Sequence, residues 1–386
     1  MFAGEDVFNY SNQLIITRGQ KLTDKMITRL EFYSIPYIKI KEYEDEPYDA
    51  EITEDDCHSD VDPLAMLENL ISEEEGEGEE KQPEEKKAEV KKPVAGMFSN
   101  KTQASEEYQR FVENFDKSVD EFKGSLNDIV QNGTEINTDT LLHQATDLIS
   151  GASTHADFFN MLHNMRQYDD LTYAHSMNVA LISNILADWL KMSKEDVELA
   201  TLCGLLHDIG KLKIPEQIIK KPGKLTEDEY KVVKTHTIAG YNVLKDQDIS
   251  EHIKNAALMH HEKCDGSGYP FGLKGDKIDP FAKIVAIADV YDAMTAARVY
   301  RGPLCPFQVI EIFEKEGLQK YETEYIMTFL ENVVMTYMNE RVKLSDGTIG
   351  TIVFINHAHL SKPMIQVNDR FLDLTTEPNL SIVKII

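Results

Sequence analysis

The sequence lacks several features that would place the protein in a secreted or membrane class. Its 386 residues contain only four cysteines, and no two of them form a Cys-x-x-Cys pair. They are Cys57, Cys203, Cys264 and Cys305. Scattered cysteines are typical of reduced thiols, which argues against a disulfide framework or a structural zinc site. No run of about 18 apolar residues occurs, so we expect no membrane insertion.

Two further absences bear on location and partners. The first ten residues include Glu5 and Asp6 and lack the basic and then apolar stretch of a signal peptide, so a cytoplasmic location is expected. Positive charge is scarce, and the formal net charge is −27. A general nucleic-acid binder needs basic surface, so nucleic acid is not an expected partner. Residues 41–92 hold 21 acids and 6 bases, a net of −15.

The chain is longer than a typical single domain, and its composition changes along its length. We predict a multidomain protein with five segments. They are a small α+β unit at 1–41, an acidic disordered linker at 42–95, a helical connector or dimerisation region at 96–152, an all-α domain at 153–341 and a small β domain at 342–386. The linker is predicted to be disordered because it has few apolar residues to offset the entropy of ordering.

The N-terminal and C-terminal segments both contain strand patterns. In the first segment, residues 13–17 and 37–40 are predicted strands around a helix at 23–32. No ligand motif appears there, so a regulatory partner-binding unit and a purely structural cap stay equally open. In the last segment, β-rich runs separated by turns predict a small antiparallel sheet or barrel. These runs are 342–344, 350–355, 364–367 and 381–385.

The region between them has apolar residues at helical spacing. The predicted helices are 105–129, 138–149, 153–190, 193–208, 227–244, 249–261, 281–296, 306–316 and 322–341. Ser193 and Thr226 are predicted N-caps. The first two helices are expected either to pack on the core or to form a homodimer interface.

One stretch of this helical region, residues 205–211, carries a candidate metal site. His207 and Asp208 close a predicted helix, and Gly210 would stop it. Further candidate ligands in helical contexts are His175, His236, His260, His261 and Asp289. Neutral imidazole together with carboxylate suits iron, manganese, zinc or nickel, and one aspartate can bridge two ions.

Several words of this region, in this order, resemble the HD-GYP phosphodiesterase family. The longest are His207–Lys211, His260–Glu262 and Asp265–Pro270, the last of which contains Gly-Tyr-Pro. Shorter matches lie at 221–226, 236–237 and 288–294, and the resemblance covers roughly residues 155 to 335. It implies an all-helical HD-type catalytic domain with two or three metal ions. It also implies hydrolysis of the bacterial messenger cyclic di-GMP or, in some members, of cyclic GMP-AMP.

The resemblance also implies individual roles. Asp208 would bridge the ions, with His175, His207 and Asp289 on one ion and His236, His260 and His261 on the other. Asp208 and Lys211 would be catalytic, Lys211 by contacting a phosphate oxygen. The implied substrate-binding residues are Lys211, Gly268, Tyr269, Asp292, Arg298 and Arg301. Tyr269 could equally be an aromatic residue that packs within the loop. Arg301 could equally be a surface residue without a role in the site. Asp292 and Thr295, one turn apart, could instead orient metal ligands.

One departure from the family bears on the number of ions. Three-metal members carry a glutamate four residues before the first histidine, and here that position is Leu171. Asp170 lies one residue earlier, about 100° away around a helix. Asp169 and Asp170 could substitute if the helix began later. Because Leu171 offers no ligand, we expect two divalent ions. Iron or manganese is expected first, with zinc, nickel or magnesium as alternatives.

The expected function is hydrolysis of cyclic di-GMP to linear pGpG, to GMP, or to both. A water between the two ions would be the nucleophile. The alternatives are a cyclic GMP-AMP phosphodiesterase and a catalytically silent signalling protein that binds the cyclic dinucleotide. A hydrolase for another nucleotide, such as a dNTP, is disfavoured by the loop 265–270, which simpler HD hydrolases lack.

Overall fold

The structure is a computed structural model. It describes residues 106–150, 154–165, 171–221, 223–296 and 304–386, and four short strands within the first 41 residues. The chain divides into one compact unit at 1–88 and a second at 89–386. The five predicted segment boundaries stay predictions.

The first unit contains four short strands. They are Phe2–Ala3 (β1), Val7–Phe8 (β2), Leu14–Ile16 (β3) and Ile40–Lys41 (β4). β1 pairs antiparallel with β4, and β2 pairs antiparallel with β3. The strand predicted at 13–17 contains β3, and the one predicted at 37–40 overlaps β4 at one residue. The helix predicted at 23–32 and the acidic linker lie outside the described residues.

The described residues of the second unit are mainly helical up to residue 335. Its α-helices are Glu106–Asn132 (α1), Thr138–Ser150 (α2), His155–Met165 (α3), Leu171–Trp189 (α4), Lys194–Leu206 (α5), Glu216–Ile219 (α6), Glu227–Lys234 (α7), His236–Leu244 (α8), Glu251–Met259 (α9), Pro280–Thr295 (α10), Pro306–Ile312 (α11), Leu318–Lys320 (α12) and Thr323–Met335 (α13). A 3₁₀ turn at Ile209–Lys213 follows α5, and a π-helical segment at Phe313–Gly317 follows α11. No helix of the described residues is long and apolar enough to cross a membrane.

Helix starts follow the capping signals in the sequence. The Ser193 hydroxyl accepts a hydrogen bond from the Asp196 amide at the start of α5. At α7, Thr226 and Glu229 form a reciprocal capping box. Both predicted N-caps are therefore confirmed, and they fix where the two helices that lead to His207 and His236 begin.

The core surrounds the α4–α5 pair. α4 packs against α5, α10, α13 and α1, and α5 also packs against α9 and α10. The ring of Trp189 stacks on Phe159 at a centroid distance of 5.5 Å. α1 buries its apolar face within this unit, including Phe115 and Phe122. Of the two roles predicted for the first helices, the structure shows core packing for α1.

Among the described residues, four predicted helices differ from those observed. The helix predicted at 153–190 is described as α3 and α4, on either side of residues 166–170. The helix predicted at 227–244 is two helices, α7 and α8, which are separated at Thr235, where the hydroxyl donates to the Val232 carbonyl at 2.7 Å. The helix predicted at 306–316 becomes π-helical after Ile312. The last predicted helix ends at Met335, and residues 341–344 instead pair in the sheet.

The C-terminal segment is a five-stranded antiparallel sheet with the strand order β8-β7-β6-β5-β9. Its strands are Arg341–Leu344 (β5), Ile349–Phe354 (β6), Met364–Val367 (β7), Arg370–Asp373 (β8) and Ile382–Ile385 (β9). The antiparallel sheet is confirmed, although β8 was not predicted. The strand has only a short alternating pattern, with Phe371 exposed and Leu372 half-buried.

Candidate metal site

The helices of the second unit bring all seven predicted metal ligands together. His175 lies in the first half of α4, His207 caps the end of α5, and Asp208 follows it. His236 begins α8, His260 and His261 follow α9, and Asp289 lies in α10. Their ligand atoms form two groups within which all atoms lie within 4.8 Å of one another. One group is Asp208, His236, His260 and His261, and the other is His175, His207 and Asp208.

Asp208 belongs to both groups because its two carboxylate oxygens face different histidines. Oδ1 lies 3.3 Å from His236 Nε2 and 3.7 Å from His260 Nε2. Oδ2 lies 3.2 Å from His207 Nε2 and 3.7 Å from His175 Nε2. This geometry suits a carboxylate that bridges two ions.

Asp289 also lies between the two groups. Its Oδ1 is 3.0 Å from His175 Nε2, and its Oδ2 is 3.7 Å from His261 Nδ1. The resemblance assigned Asp289 to a single ion with His175. In the structure its second oxygen also faces a histidine of the other group.

Backbone carbonyls set the orientation of three histidines. In each, Nδ1 lies within hydrogen-bond distance of a carbonyl oxygen three or four residues earlier. The distances are 2.7 Å from His207 to Gly204, 2.6 Å from His236 to Val233 and 3.0 Å from His260 to Ala256. A carbonyl oxygen can only accept, so Nδ1 must carry the hydrogen and Nε2 presents its lone pair to the site.

His175 is oriented by a carboxylate instead. Its Nδ1 lies 2.7 Å from Asp292 Oδ2. Burial lowers the pKa of His175, but its hydrogen bonds to Asp289 and Asp292 outweigh burial and raise the pKa to about 9. Asp292 is thus placed to orient a ligand, one of its two predicted roles. The Thr295 hydroxyl bonds to the Tyr291 carbonyl at 2.6 Å and contacts no predicted ligand.

Unsatisfied buried atoms test whether a metal ion fits these residues. His207 Nε2 and Asp208 Oδ1 are buried and have no aligned hydrogen-bond partner among the described residues. Burial lowers the pKa of His260 well below its usual range and that of His261 to about 3, so both rings are neutral. Buried lone pairs without donors are costly unless a cation meets them. Imidazole and carboxylate donors together fit a divalent transition metal.

The carboxylates stay ionised. Burial raises the pKa of Asp208, but the neighbouring His207 ring and the Lys211 ammonium outweigh it and hold the pKa well below its usual range. For Asp289 the hydrogen bond to His175 likewise outweighs burial and lowers the pKa. The Lys211 ammonium contacts Asp208 Oδ2 directly. The predicted catalytic lysine therefore lies beside the central carboxylate.

The glycine-rich loop at residues 265–270 forms one wall of the site. The Tyr269 ring stacks on the His261 ring at a centroid distance of 4.7 Å. A Cβ atom on Gly268 would lie 2.4 Å from the Glu262 Cα atom, so only glycine allows this approach. The buried Glu262 carboxylate accepts hydrogen bonds from the Phe271 amide at 2.7 Å and the Leu273 amide at 2.9 Å.

A second glycine brings two ligand-bearing elements together. A Cβ atom on Gly210 would lie 1.9 Å from the His236 carbonyl oxygen and 2.4 Å from the Gly240 amide nitrogen. The 3₁₀ turn after Asp208 can therefore pack directly on α8. Gly210 was predicted only to end a helix.

Sequence reasoning missed Glu262 as a support of the loop, and it missed Lys234, which lies near Tyr269. The position of Glu262 directly after the histidine pair, inside a matched word, was a usable signal. Four predicted or alternative site residues lie outside the described residues. They are Arg298, Arg301, Asp169 and Asp170. α4 begins at Leu171, the position where three-metal members carry glutamate.

Comparison with known families places this site. A family model described as the HD domain matches residues 160–324, which include all seven predicted ligands. This segment is an HD domain.

Relatives of the HD domain are curated phosphodiesterases. A cyclic di-GMP phosphodiesterase of Pseudomonas aeruginosa is 33% identical over 229 residues, which cover 58% of this chain and 55% of the relative. One of Thermotoga maritima is 35% identical, with 45% and 48% covered. A 3′3′-cGAMP-specific phosphodiesterase of Vibrio cholerae is 43% identical, with 38% and 34% covered. The chain thus spans about half the length of these relatives or less.

Proposed function

We propose that this chain is a metal-dependent phosphodiesterase that hydrolyses cyclic dinucleotides, with cyclic di-GMP as its main substrate. One observation carries the proposal: both oxygens of Asp208 face separate groups of histidines within 3.7 Å. A paired site of this kind suits phosphodiester hydrolysis. The names of the relatives favour a cyclic dinucleotide as the substrate.

The proposed ligands divide as the two groups do. His175, His207 and Asp208 would hold one ion, and Asp208, His236, His260 and His261 the other. Asp289 would serve the first ion from beside His175. Two bound divalent ions, iron or manganese by preference, would lower the pKa of a shared water and neutralise charge on the phosphate.

The chain's own residues would bind and orient the phosphate. Lys211 is a point charge that can turn from Asp208 to a phosphate oxygen, because its side chain is partly exposed. Tyr269 covers the partly exposed ring of His261 and limits the access of water there. Asp208 and Asp289 remain anionic, so they keep their oxygens available for cations.

The decisive experiment is turnover by protein reconstituted anaerobically with Fe(II) or Mn(II). Cyclic di-GMP, cyclic GMP-AMP and cyclic di-AMP would be supplied separately, and linear dinucleotides and mononucleotides separated by chromatography. We expect cyclic di-GMP to be converted fastest, to pGpG, GMP or both. Faster conversion of cyclic GMP-AMP would support the alternative substrate.

A pair of histidine variants makes this experiment specific. His236→Ala removes a ligand within 3.3 Å of Asp208, whereas His359→Ala changes an exposed residue in the loop between β6 and β7. We expect the first to lose turnover and the second to keep it. Tight binding of cyclic di-GMP without turnover under any metal condition would show a silent binding protein instead. The absence of both binding and turnover would refute the proposed function.

A further inference from the structure

Lys234 lies at the edge of the candidate metal site, between two aromatic rings. Its Nζ atom is 4.8 Å from the ring centroid of Tyr230 and 5.2 Å from that of Tyr269. Tyr269 in turn stacks on the metal-ligand candidate His261. A chain of direct contacts therefore links this ammonium group to the site.

The charge of Lys234 is met by ring faces. Among the described residues, no carboxylate forms an ion pair with its Nζ atom. Lys231, one turn earlier on α7, instead pairs with Asp228 at 2.9 Å. Ring faces attract an ammonium group through their quadrupole but accept few of its hydrogen bonds. In a chain with a net charge of −27, this leaves a cation at the site with donors available for an anion.

A cyclic dinucleotide carries two phosphodiesters, and only one can lie at the metal ligands during cleavage. The second needs its own cation. Lys211 contacts Asp208 at the site itself, and Lys263 Nζ is hydrogen-bonded to the Tyr321 hydroxyl at 3.0 Å. Lys234 differs from both because aromatic contacts hold it at the rim. The exposed ring of Tyr230 beside it offers a face to a purine base.

We propose that Lys234 is a specificity-determining residue that binds the phosphodiester not being cleaved, with Tyr230 and Tyr269 holding its ammonium group in place. The inference rests on the proposed function and adds a contact that selects cyclic dinucleotides over diesters with one phosphate. An ammonium can perform this task because it is a compact charge whose three donors can turn towards either non-bridging oxygen of a phosphodiester.

The test compares two substrates across three variants. The substrates are cyclic di-GMP and bis(p-nitrophenyl) phosphate, which has a single phosphodiester. Lys234→Met should raise KM for cyclic di-GMP about tenfold, equivalent to about 1.4 kcal/mol, with kcat within about twofold. Lys234→Arg should retain most of the affinity, since it keeps the charge. Lys231→Met, the matched control on the same helix, should leave both substrates unaffected.

The ratio of kcat/KM for the two substrates decides the matter. We expect it to fall about tenfold in Lys234→Met, because the small diester cannot use the lost contact. An unchanged ratio, or an equal loss of kcat on both substrates, would overturn the proposal and show that Lys234 only supports His236 or Tyr269. If Lys234→Met melts below the wild type, Lys234→Gln is measured by the same ratio. Failure of the wild-type protein to cleave cyclic di-GMP would refute the proposed function itself.

Discussion

At the scale of single residues, Asp208 has the most demanding role. Its two oxygens face separate histidine groups, its pKa is held low despite burial, and the Lys211 ammonium touches it. This arrangement suits a carboxylate that binds cations.

Replacement of Asp208 tests this role directly. Asp208→Ala should lose both ions and abolish turnover, because it removes the oxygens shared by the two groups. Metal content by mass spectrometry and cyclic di-GMP turnover are the measurements. Asp228→Ala, an exposed carboxylate on α7, is the control and should match the wild type. Full metal content with wild-type turnover in Asp208→Ala would exclude a bridging role.

Asp292 acts one contact away from the metal, through His175. Asp292→Ala should lower metal affinity by about 10–100-fold, because the His175 ring loses the partner that fixes its orientation. The control is Thr295→Val on the same helix, since the Thr295 hydroxyl donates to the backbone carbonyls of Tyr291 and Asp292 and leaves the Asp292 carboxylate to His175. Competition with a fluorescent chelator measures the affinity. Equal affinities for the two variants would contradict the orienting role.

The seven candidate ligands could be named from the sequence because six of them lie in the matched words, and His175 lies upstream of those words in a helical context. The carbonyl groups that orient them could not. Which carbonyl His236 reaches depends on the break at Thr235, and neither proline nor glycine stands at that position to signal it. Asp289 was assigned to one ion because a sequence does not show which way each carboxylate oxygen points.

At the scale of elements, the contact between the 3₁₀ turn and α8 sets the spacing of two ligand pairs. Gly210→Ala should destabilise the fold by about 1–3 kcal/mol, because the new methyl group meets backbone atoms that cannot move aside. Gly124→Ala lies at an exposed position of α1 with free space around it, and it should stabilise the fold by about 1 kcal/mol. Urea unfolding measures both. An unchanged free energy of unfolding in Gly210→Ala would show that α8 can shift.

The π-helical segment contacts the C-terminal sheet unit through Glu314. Its carboxylate accepts hydrogen bonds from the Ser361 hydroxyl and from the Ser361 amide, at 3.3 Å for the amide. Burial nevertheless raises the pKa of Glu314 above its ordinary value. The folded state then holds the proton more tightly than the unfolded state. Stability from this group is complete below the unfolded pKa and declines as pH rises through the folded pKa.

Glu314→Gln isolates that contribution, because the other titrating groups are shared with the wild type. We expect the wild type to lose stability relative to the glutamine variant as pH rises from the ordinary glutamate pKa of 4.5 through the raised pKa of the folded state, and to change little above that. The measurement is the free energy of unfolding at several pH values. A difference that does not vary with pH would show that Glu314 titrates alike in both states.

Element boundaries were predictable where a cap marks them, as at Ser193 and Thr226. They were less so where the chain changes its winding without a breaker. The π-helical turn at Phe313–Gly317 follows α11 with no proline and only a terminal glycine. Strand β8 was missed because Asn368 adopts a positive φ of 53°, making a turn between β7 and β8 with no glycine at that position to signal it.

At the scale of the whole molecule, the division at residues 88 and 89 suggests that the catalytic unit can stand alone. A chain of residues 96–386 should remain folded and hydrolyse cyclic di-GMP, since all seven ligands lie in the second unit. Circular dichroism, thermal melting and turnover are the measurements. The same assay on the full chain is the control. A folded but inactive truncated protein would mean that the first unit is required for catalysis.

The bonds from Glu262 to the two loop amides have a consequence for transplanting this site. Glu262 directly follows His260 and His261, and it also anchors the end of the loop that carries Tyr269. The two candidate ligands and this loop therefore form one structural segment. Exchange of residues 265–270 alone would insert a foreign loop between Glu262 and the Phe271 and Leu273 amides that donate to its carboxylate. Exchange of residues 260–273 as one piece would carry both the anchor and what it holds.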